Sequence, residues 1–148
     1  MAAKAGTDYT FSFDFYLGGE AGETRWAGFS AYTASGSCEI INNGETVRNA
    51  SMPFWFTLSR DNGLMYHQAS ESSIRYMDTK NGVIILPARD TWHNVVLELH
   101  DLSLHLIFDG EDKGEIVRYK EKPCGGIALY GSNRITYKNI SIVPCDKE

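Results

Sequence analysis

The first strong pattern in the sequence is a strict alternation of apolar and polar residues. Every second side chain from residue 11 onward is large and apolar, and the members of this row are Phe11, Phe13, Phe15 and Leu17. A period of two places such a row on one face of a β-strand. The pattern therefore predicts a half-buried strand over 11–17, which Gly18 and Gly19 end.

Further short segments with strand-like patterns follow, separated by Gly, Asn and Asp, and no segment has the period of a helix. Residues 33–51 are polar and predict a long loop, in which Asn43-Gly44 is a candidate hairpin turn. Many short strands with turn residues between them are typical of a two-sheet sandwich or a barrel. The segments predicted as strands after the first are 26–32, 54–59, 64–68, 74–77, 83–86, 92–99, 102–108, 115–119, 125–130 and 135–143.

Length and charge narrow the classes of protein. The chain has 148 residues and a net charge of −5, which suits one domain and disfavours nucleic acid and anionic membranes as partners. No apolar run is long enough for a membrane span. We expect a linker over 1–8, a single domain over 9–144 and a C-terminal stub over 145–148. Residues 1–7 lack a signal-peptide core and resemble a linker. We therefore interpret the chain as a module of a larger protein, and we expect that protein to be extracellular or on the cell surface.

Five segments together resemble a known superfamily. The segment 91–99 is similar to a family strand that begins with Trp, and 104–110 is similar to the strand and turn that follow it. The pair 125–131 and 135–142 is similar to the closing strands, and 9–15 to the first strand. The sequence thereby resembles the concanavalin A-like lectin/glucanase superfamily, including carbohydrate-binding modules and laminin-G-like domains. This resemblance implies an all-β fold, a two-sheet antiparallel jelly-roll sandwich.

The resemblance also carries expectations about ligands. It implies sugar binding, or protein and heparin binding in laminin-G-like members, and a packing role for Trp92. Many members hold a structural calcium, but the sequence has no Asp-x-Asp run, and only Asp14 or the loop 131–133 offers oxygen ligands. We therefore expect no cofactor.

A sugar site needs exposed aromatic rings for C–H stacking and planar polar groups for the hydroxyls. Alternation assigns Ala27, Phe29, Phe54, Phe56 and Leu58 to the core. It turns the intervening side chains outward, namely Trp26, Ser30, Tyr32, Trp55, Thr57 and Ser59. Trp26 could equally be structural, while Tyr130 and Tyr137 suit sheet packing better than ligand contact. The predicted ligand-binding residues are Trp26, Trp55, Tyr32, Arg25 and Arg75.

An enzymatic alternative requires two carboxylates across a scissile glycosidic bond. The Glu-x-Asp-x-x-Glu strand of glucanases is absent, and the acidic segment 111–115 lies in a predicted turn. Glu98 shares a face with His100 at a strand end, where a solvated surface is the simpler interpretation. His93 and His105 lie on adjacent predicted strands and are interpreted as surface residues.

Three cysteines leave at least one thiol unpaired, and a disulfide between Cys124 and Cys145 stays an open alternative. The sequence is best interpreted as a non-catalytic carbohydrate-binding module, accessory to a carbohydrate-active enzyme. Its expected partners are a polysaccharide or oligosaccharide and neighbouring domains. The alternatives are a protein-interaction sandwich and a glycan-cleaving enzyme.

Overall fold

The computed structural model describes residues 8–18, 25–32, 38–42, 45–49, 55–60, 63–67, 74–76, 87–122, 126–132 and 134–145. All the regular structure in these ranges is β-strand. The strands are β1 (Tyr9–Leu17), β2 (Trp26–Tyr32), β3 (Cys38–Asn42), β4 (Glu45–Asn49), β5 (Trp55–Ser59), β6 (Gly63–His67), β7 (Ile74–Tyr76), β8 (Trp92–His100), β9 (Ser103–Phe108), β10 (Glu111–Arg118), β11 (Gly126–Gly131) and β12 (Ile135–Pro144).

The strands form two antiparallel sheets. One has seven strands in the order β12-β1-β8-β9-β10-β3-β4, and the other has five in the order β11-β2-β5-β6-β7. The first strand lies beside the last, and Tyr9 pairs with Pro144 at the start of that ladder. The predicted β-sandwich is confirmed, and we call the face of each sheet that points away from the other sheet its outer face.

The core is built by alternation on both sheets. Every second side chain of β1 is buried from Tyr9 to Leu17, as the sequence predicted. From the other sheet, Phe29 and Phe56 stack with ring centroids 5.3 Å apart, and Phe13 meets Phe29 at 6.3 Å. Complete burial of such a side chain contributes about 1.5–3 kcal/mol, so these rows hold the two sheets together.

Tight turns set the register of the central hairpins. Asp109 and Gly110 have φ of 49° and 80°, and they join β9 to β10 with Phe108 opposite Glu111. Positive φ at both turn residues matches the right-handed twist of the strands, which is why Asp-Gly is favoured there. The predicted hairpin over 33–51 is also present, because β3 and β4 pair up to Asn42 opposite Glu45.

His93 corrects one expectation about the surface. It is buried, not exposed, because it lies opposite Phe15 on the core face of β8. Its Nδ1 lies 2.7 Å from a carboxylate oxygen of Asp109, and its Nε2 lies 2.7 Å from the carbonyl oxygen of Ala88. The His93 side chain thus connects β8 to the segment before it and to the turn between β9 and β10.

Asp8 and Cys145 are the first and last residues that the structure describes. Asp8, assigned above to a linker, is buried and lies 2.6 Å from the ammonium of Lys122. The thiol of Cys145 is free and exposed, which excludes the Cys124–Cys145 disulfide. Phe54, Cys124 and the strand predicted over 83–86 lie outside the described residues. In the described ranges, no helix is long and apolar enough to span a membrane.

Candidate functional site

Trp26 lies at the start of β2 on the outer face of the five-stranded sheet. Its neighbour Ala27 is buried in the core, so alternation places Trp26 on the opposite face, where it is half-buried. The backbone N–H of Trp26 donates to Oγ of Ser132 at 3.0 Å, and the N–H of Ser132 donates to the carbonyl oxygen of Trp26 at 3.1 Å. These bonds fix the entry to the strand, and the prediction that Trp26 faces away from the core agrees with this geometry.

Tyr130, which the sequence analysis assigned to packing, is the aromatic neighbour of Trp26. The two rings meet edge to face, with centroids 6.2 Å apart and an interplanar angle of 69°. Tyr130 pairs with Gly28 across β11 and β2, and its hydroxyl donates to the carbonyl oxygen of Phe29 at 3.0 Å. A Cβ at Gly28 would lie 2.4 Å from the Tyr130 ring, so glycine is required beneath it.

Tyr137 holds the backbone of Gly28 and Tyr130 from the core side. Its hydroxyl accepts the N–H of Gly28 at 3.0 Å and donates to the carbonyl oxygen of Tyr130. Burial raises the pKa of Tyr137 to about 12, so the hydroxyl stays a neutral donor at ordinary pH. The Trp26–Tyr130 pair is therefore held by hydrogen bonds from both faces of the sheet.

The middle of this outer face is less open than the sequence suggested. Ser30, Thr57 and Ser59 face away from the core residues of their own strands, yet each is at most 2% exposed. The prediction of direction is consistent with the alternation, but the expectation of solvent exposure is wrong for these three residues. Among the side chains described on the strands of this face, partial solvent access is found at Trp26, Tyr130 and Ala128.

The remaining predicted site residues are placed by backbone position. Tyr32 ends β2 opposite Gly126, and Trp55 begins β5 opposite His67. Arg75 pairs with Tyr66, which in turn pairs with Phe56 of the buried row, whereas Trp55 lies in the next row. Residues opposite each other in the register share a face, so the Arg75 position lies in a core-facing row and the Trp55 position in an outward row. Arg25 directly precedes Trp26 and is half-buried. The five predicted residues therefore do not all share one face of the sheet.

The carboxylates of the enzymatic alternative do not form an acid–base pair. Glu98 is exposed, with His105 between it and Glu115 in the cross-strand register. Burial would raise the pKa of Glu115, but hydrogen bonds from Arg118 and Ser103 outweigh it and hold the pKa below its usual range. A general acid needs a raised pKa, so Glu115 is unsuited to that role.

A calcium site at Asp14 does not fit the geometry. One oxygen of its carboxylate accepts from the amide of Asn94 at 2.8 Å, and the other accepts from the amide of Asn139 at 2.7 Å. Amide donors directed at both oxygens arrange the group for hydrogen bonding, not for cation coordination. Within the described part of the chain, no group of three or more His, Cys, Asp or Glu side chains could hold a metal ion.

Trp92 corrects the packing role that the resemblance implied. It is 41% exposed, on the outer face of the seven-stranded sheet, and lies against Tyr16 of β1. The side chains that contact it, Tyr16 and Lys138, escaped the sequence analysis because they belong to two other strands. The sequence did contain a signal. His93 and Val95 are buried, so alternation along β8 turns their neighbours Trp92 and Asn94 outward.

Comparisons with known proteins identify the fold. No family model matches the sequence, and no curated protein matches it. Sheep galectin-11, solved in complex with glycerol, superposes with a TM-score of 0.59 at 6% identity, covering 97% of this chain and 95% of that chain. The carbohydrate binding module CBM66 from Bacillus subtilis superposes with a TM-score of 0.54 at 9% identity, covering 95% and 77%. The chain therefore has the concanavalin A-like jelly-roll fold that the sequence resembles.

Proposed function

We propose that this domain binds glycans without cleaving them. Two of the solved structures that share its fold are a galectin and a carbohydrate binding module, and this likeness supports the proposal at the level of the fold. A fold alone does not assign a function, because one fold hosts many functions and the residues of a site decide among them. The supporting site is the Trp26 end of the five-stranded sheet.

The observation that carries the proposal is the Trp26–Tyr130 pair. It presents two half-buried aromatic rings beside the edge strand β11, and Arg25 precedes Trp26 in the chain. Sugar rings stack their C–H faces on aromatic side chains, and planar cations hydrogen-bond to their hydroxyls. Rings held by hydrogen bonds to the backbone are arranged before the ligand arrives, which lowers the entropic cost of binding.

The finer features of the proposal concern the extent of the site and its setting. Trp55 provides a second stacking surface, and Tyr32 hydrogen-bonds to hydroxyls or to an acidic group. Trp55 lies four residues before Ser59, the partner of Trp26, so the two positions are offset by about 13 Å along the strands. That offset suits several sugar units of a polysaccharide. We further propose that the domain is an extracellular accessory module of a carbohydrate-active enzyme.

The proposal is tested by affinity gel electrophoresis of the domain against soluble plant, algal and host polysaccharides. A reducing-sugar assay is run on the same samples. Retardation in at least one gel without release of reducing ends is the expected result. Release of reducing ends would instead make the protein an enzyme and direct attention to Glu98 and the acidic segment 111–115.

A pair of variants tests which residues bind. Trp55→Ala should abolish binding at the five-stranded sheet, seen as weaker retardation, while the thermal midpoint stays nearly unchanged, and Trp26→Ala should weaken retardation as well. Val143→Ala is the matched control, because it removes exposed apolar surface from an edge strand distant in sequence and on the other sheet. If Trp55→Ala unfolds the domain, Trp55 belongs to the core and its proposed role is wrong.

A protein-interaction sandwich is the second candidate. Ile140 and Val143 are 44% and 55% exposed on β12, which lies at one edge of the seven-stranded sheet. Exposed apolar side chains on an edge strand favour pairing with a neighbouring domain or a second copy. Light scattering separates the candidates, since self-association without polysaccharide retardation would favour this one.

A further inference from the structure

A second aromatic pair lies on the opposite side of the sandwich, on the outer face of the seven-stranded sheet. We define the Trp92 patch by its aromatic and polar members. They come from three neighbouring strands, β12, β1 and β8, and are Trp92, Tyr16, Lys138, Asp14, Asn94 and Asn139. Nothing in the core depends on these side chains, because the buried rows of the same strands point the other way.

The aromatic half of the patch is open to solvent. The rings of Tyr16 and Trp92 lie 5.5 Å apart at 54°, and Nζ of Lys138 lies 3.8 Å from the centre of the Trp92 ring. An ammonium group takes this position because the face of an aromatic ring is electron-rich. The C–H groups on one side of a pyranose are weakly positive, so they prefer the same position.

The polar half of the patch is arranged by a bulge. The ladder between β1 and β12 shifts register after Ser12, and Asn139 has φ of 53°. A bulge re-aims a side chain, and here it brings the Asn139 amide to within 2.7 Å of Asp14 while Asn94 reaches the other carboxylate oxygen. Asn is one of the few residues besides glycine that adopt this left-handed conformation readily, so its side chain can be directed at Asp14 from the bulge.

The charges of the patch indicate the kind of ligand. Hydrogen bonds from Asn94 and Asn139, together with the charge of Lys138, hold the pKa of Asp14 below its usual range, so the carboxylate is ionised. Two amide N–H groups use only part of its capacity as an acceptor, which leaves sites for hydroxyl donors. The Asp14 carboxylate is offset by the Lys138 ammonium, and the Asp90 carboxylate lies 3.5 Å from the Tyr16 hydroxyl at the border of the patch. These charges disfavour an acidic ligand and suit a neutral one.

We propose that the Trp92 patch is a second sugar-binding site, specific for neutral pyranosides. The sugar stacks on Trp92 in the position that Lys138 occupies, Asp14 accepts two of its hydroxyl groups, and the displaced ammonium donates to a ring or hydroxyl oxygen. The site is separate from the Trp26 end, because the two aromatic pairs belong to different sheets. The proposal extends glycan binding to a second face and can fail without the first.

The test follows the indole N–H signals of the intact domain by NMR during titration with short oligosaccharides. The chain has three Trp residues, so the variants Trp26→Phe, Trp55→Phe and Trp92→Phe assign the three signals. The probes are neutral β-1,3-glucan, β-1,4-glucan and β-galactoside oligosaccharides, with an oligogalacturonate as the acidic comparison. A saturable shift of the Trp92 signal with a neutral probe, and a weaker response to the acidic one, is the expected result.

A matched pair of carboxylate variants tests the polar half. Asp14→Asn should weaken binding at the Trp92 signal about tenfold, because it removes the charged acceptor and keeps the size of the side chain. Glu98→Gln removes a carboxylate from β8 on the same outer face and should leave binding unchanged. Equal effects of the two variants would mean that Asp14 acts only through the general charge of the face, which would contradict its proposed role.

The pattern of shifts separates the two binding proposals. A shift at Trp26 without one at Trp92 supports the proposed function and overturns the second site. A shift at Trp92 alone supports the second site and overturns the proposed location of the first. No shift at Trp92 with any neutral probe, or saturation only with the acidic one, overturns this inference.

Discussion

The two Trp–Tyr pairs of this domain are similar in composition and differ in how they are held. Trp26 and Tyr130 meet edge to face at 6.2 Å, half-buried, with the Tyr hydroxyl bonded to the backbone of Phe29. Trp92 and Tyr16 lie 5.5 Å apart, and the Trp is 41% exposed beneath a lysine. The first pair is bonded to the backbone of its own sheet and keeps partial solvent access, whereas the second lies on the surface with its Trp exposed.

The comparison indicates that the residue beneath an aromatic ring decides how firmly the ring is held. Gly28 lets Tyr130 lie flat across the backbone, where it loses mobility and gains a fixed hydroxyl contact. No glycine lies opposite Trp92, whose partner in the register is Tyr16. The first pair should therefore couple binding to stability, and the second pair should not.

The largest expected effect comes from filling the space beneath Tyr130. Gly28→Ala should lower the free energy of unfolding by about 2–3 kcal/mol, because its Cβ would displace a ring that is bonded to Phe29. Chemical denaturation measures the loss. In a Tyr130→Ala background the same substitution should cost much less, and an equal cost in both backgrounds would contradict the proposed clash.

The hydroxyl of Tyr137 should have the next largest effect. Tyr137→Phe leaves the N–H of Gly28 and the carbonyl of Tyr130 without this partner and should cost about 1–2 kcal/mol. Tyr16→Phe is the control on the other face, since its hydroxyl lies at the long distance of 3.5 Å from Asp90. Thermal melts of the two variants should differ clearly, and equal midpoints would remove the contrast between the faces.

Removal of the exposed ring should be mild. Trp92→Ala should lower stability by about 1 kcal/mol, from the lost contacts with Tyr16 and Lys138, while sugar binding at that face disappears. Trp26→Ala should cost about 2 kcal/mol or more because that ring is packed. If Trp92→Ala proved the more destabilising of the two, the exposed platform would be structural.

The smallest effect is one of pH. The pKa of Asp14 is below its ordinary value of 3.8, so its contribution to stability is present above about pH 4 and is lost as the pH falls through the folded-state pKa. The difference in melting temperature between the wild type and Asp14→Asn should shrink on acidification through that range. Glu98→Gln should show no comparable convergence, and a constant difference for Asp14→Asn would contradict the depressed pKa.

The fold could be predicted from the sequence because its rows of apolar residues are regular. Phe11 to Leu17 and Val95 to Leu99 alternate so strictly that strand, face and burial follow from the pattern. Ser30, Thr57 and Ser59 also alternate correctly, yet they are buried. Alternation gives the direction of a side chain, but not what covers it.

The two proposed binding surfaces were harder to predict, because each is assembled from residues of several strands. The Trp92 patch joins residues from 14 to 139, and the bulge that aims Asn139 at Asp14 has no clear signal in the sequence. His93 was misassigned for a related reason, since its partners Asp109 and Ala88 become neighbours only through the fold. Tyr130 could have been recognised, because an aromatic residue opposite a glycine commonly covers it.

Glycan binding at two sites without cleavage is measured by calorimetry. The ligand is a short neutral oligosaccharide of a polysaccharide that retards the domain in the gel screen. Reducing ends are counted in the same cell before and after the titration. The account predicts saturable heat, two ligands per chain, no new reducing ends, and one ligand remaining in either Trp26→Ala or Trp92→Ala. Absence of saturable heat from a folded domain, or appearance of new reducing ends, would contradict it.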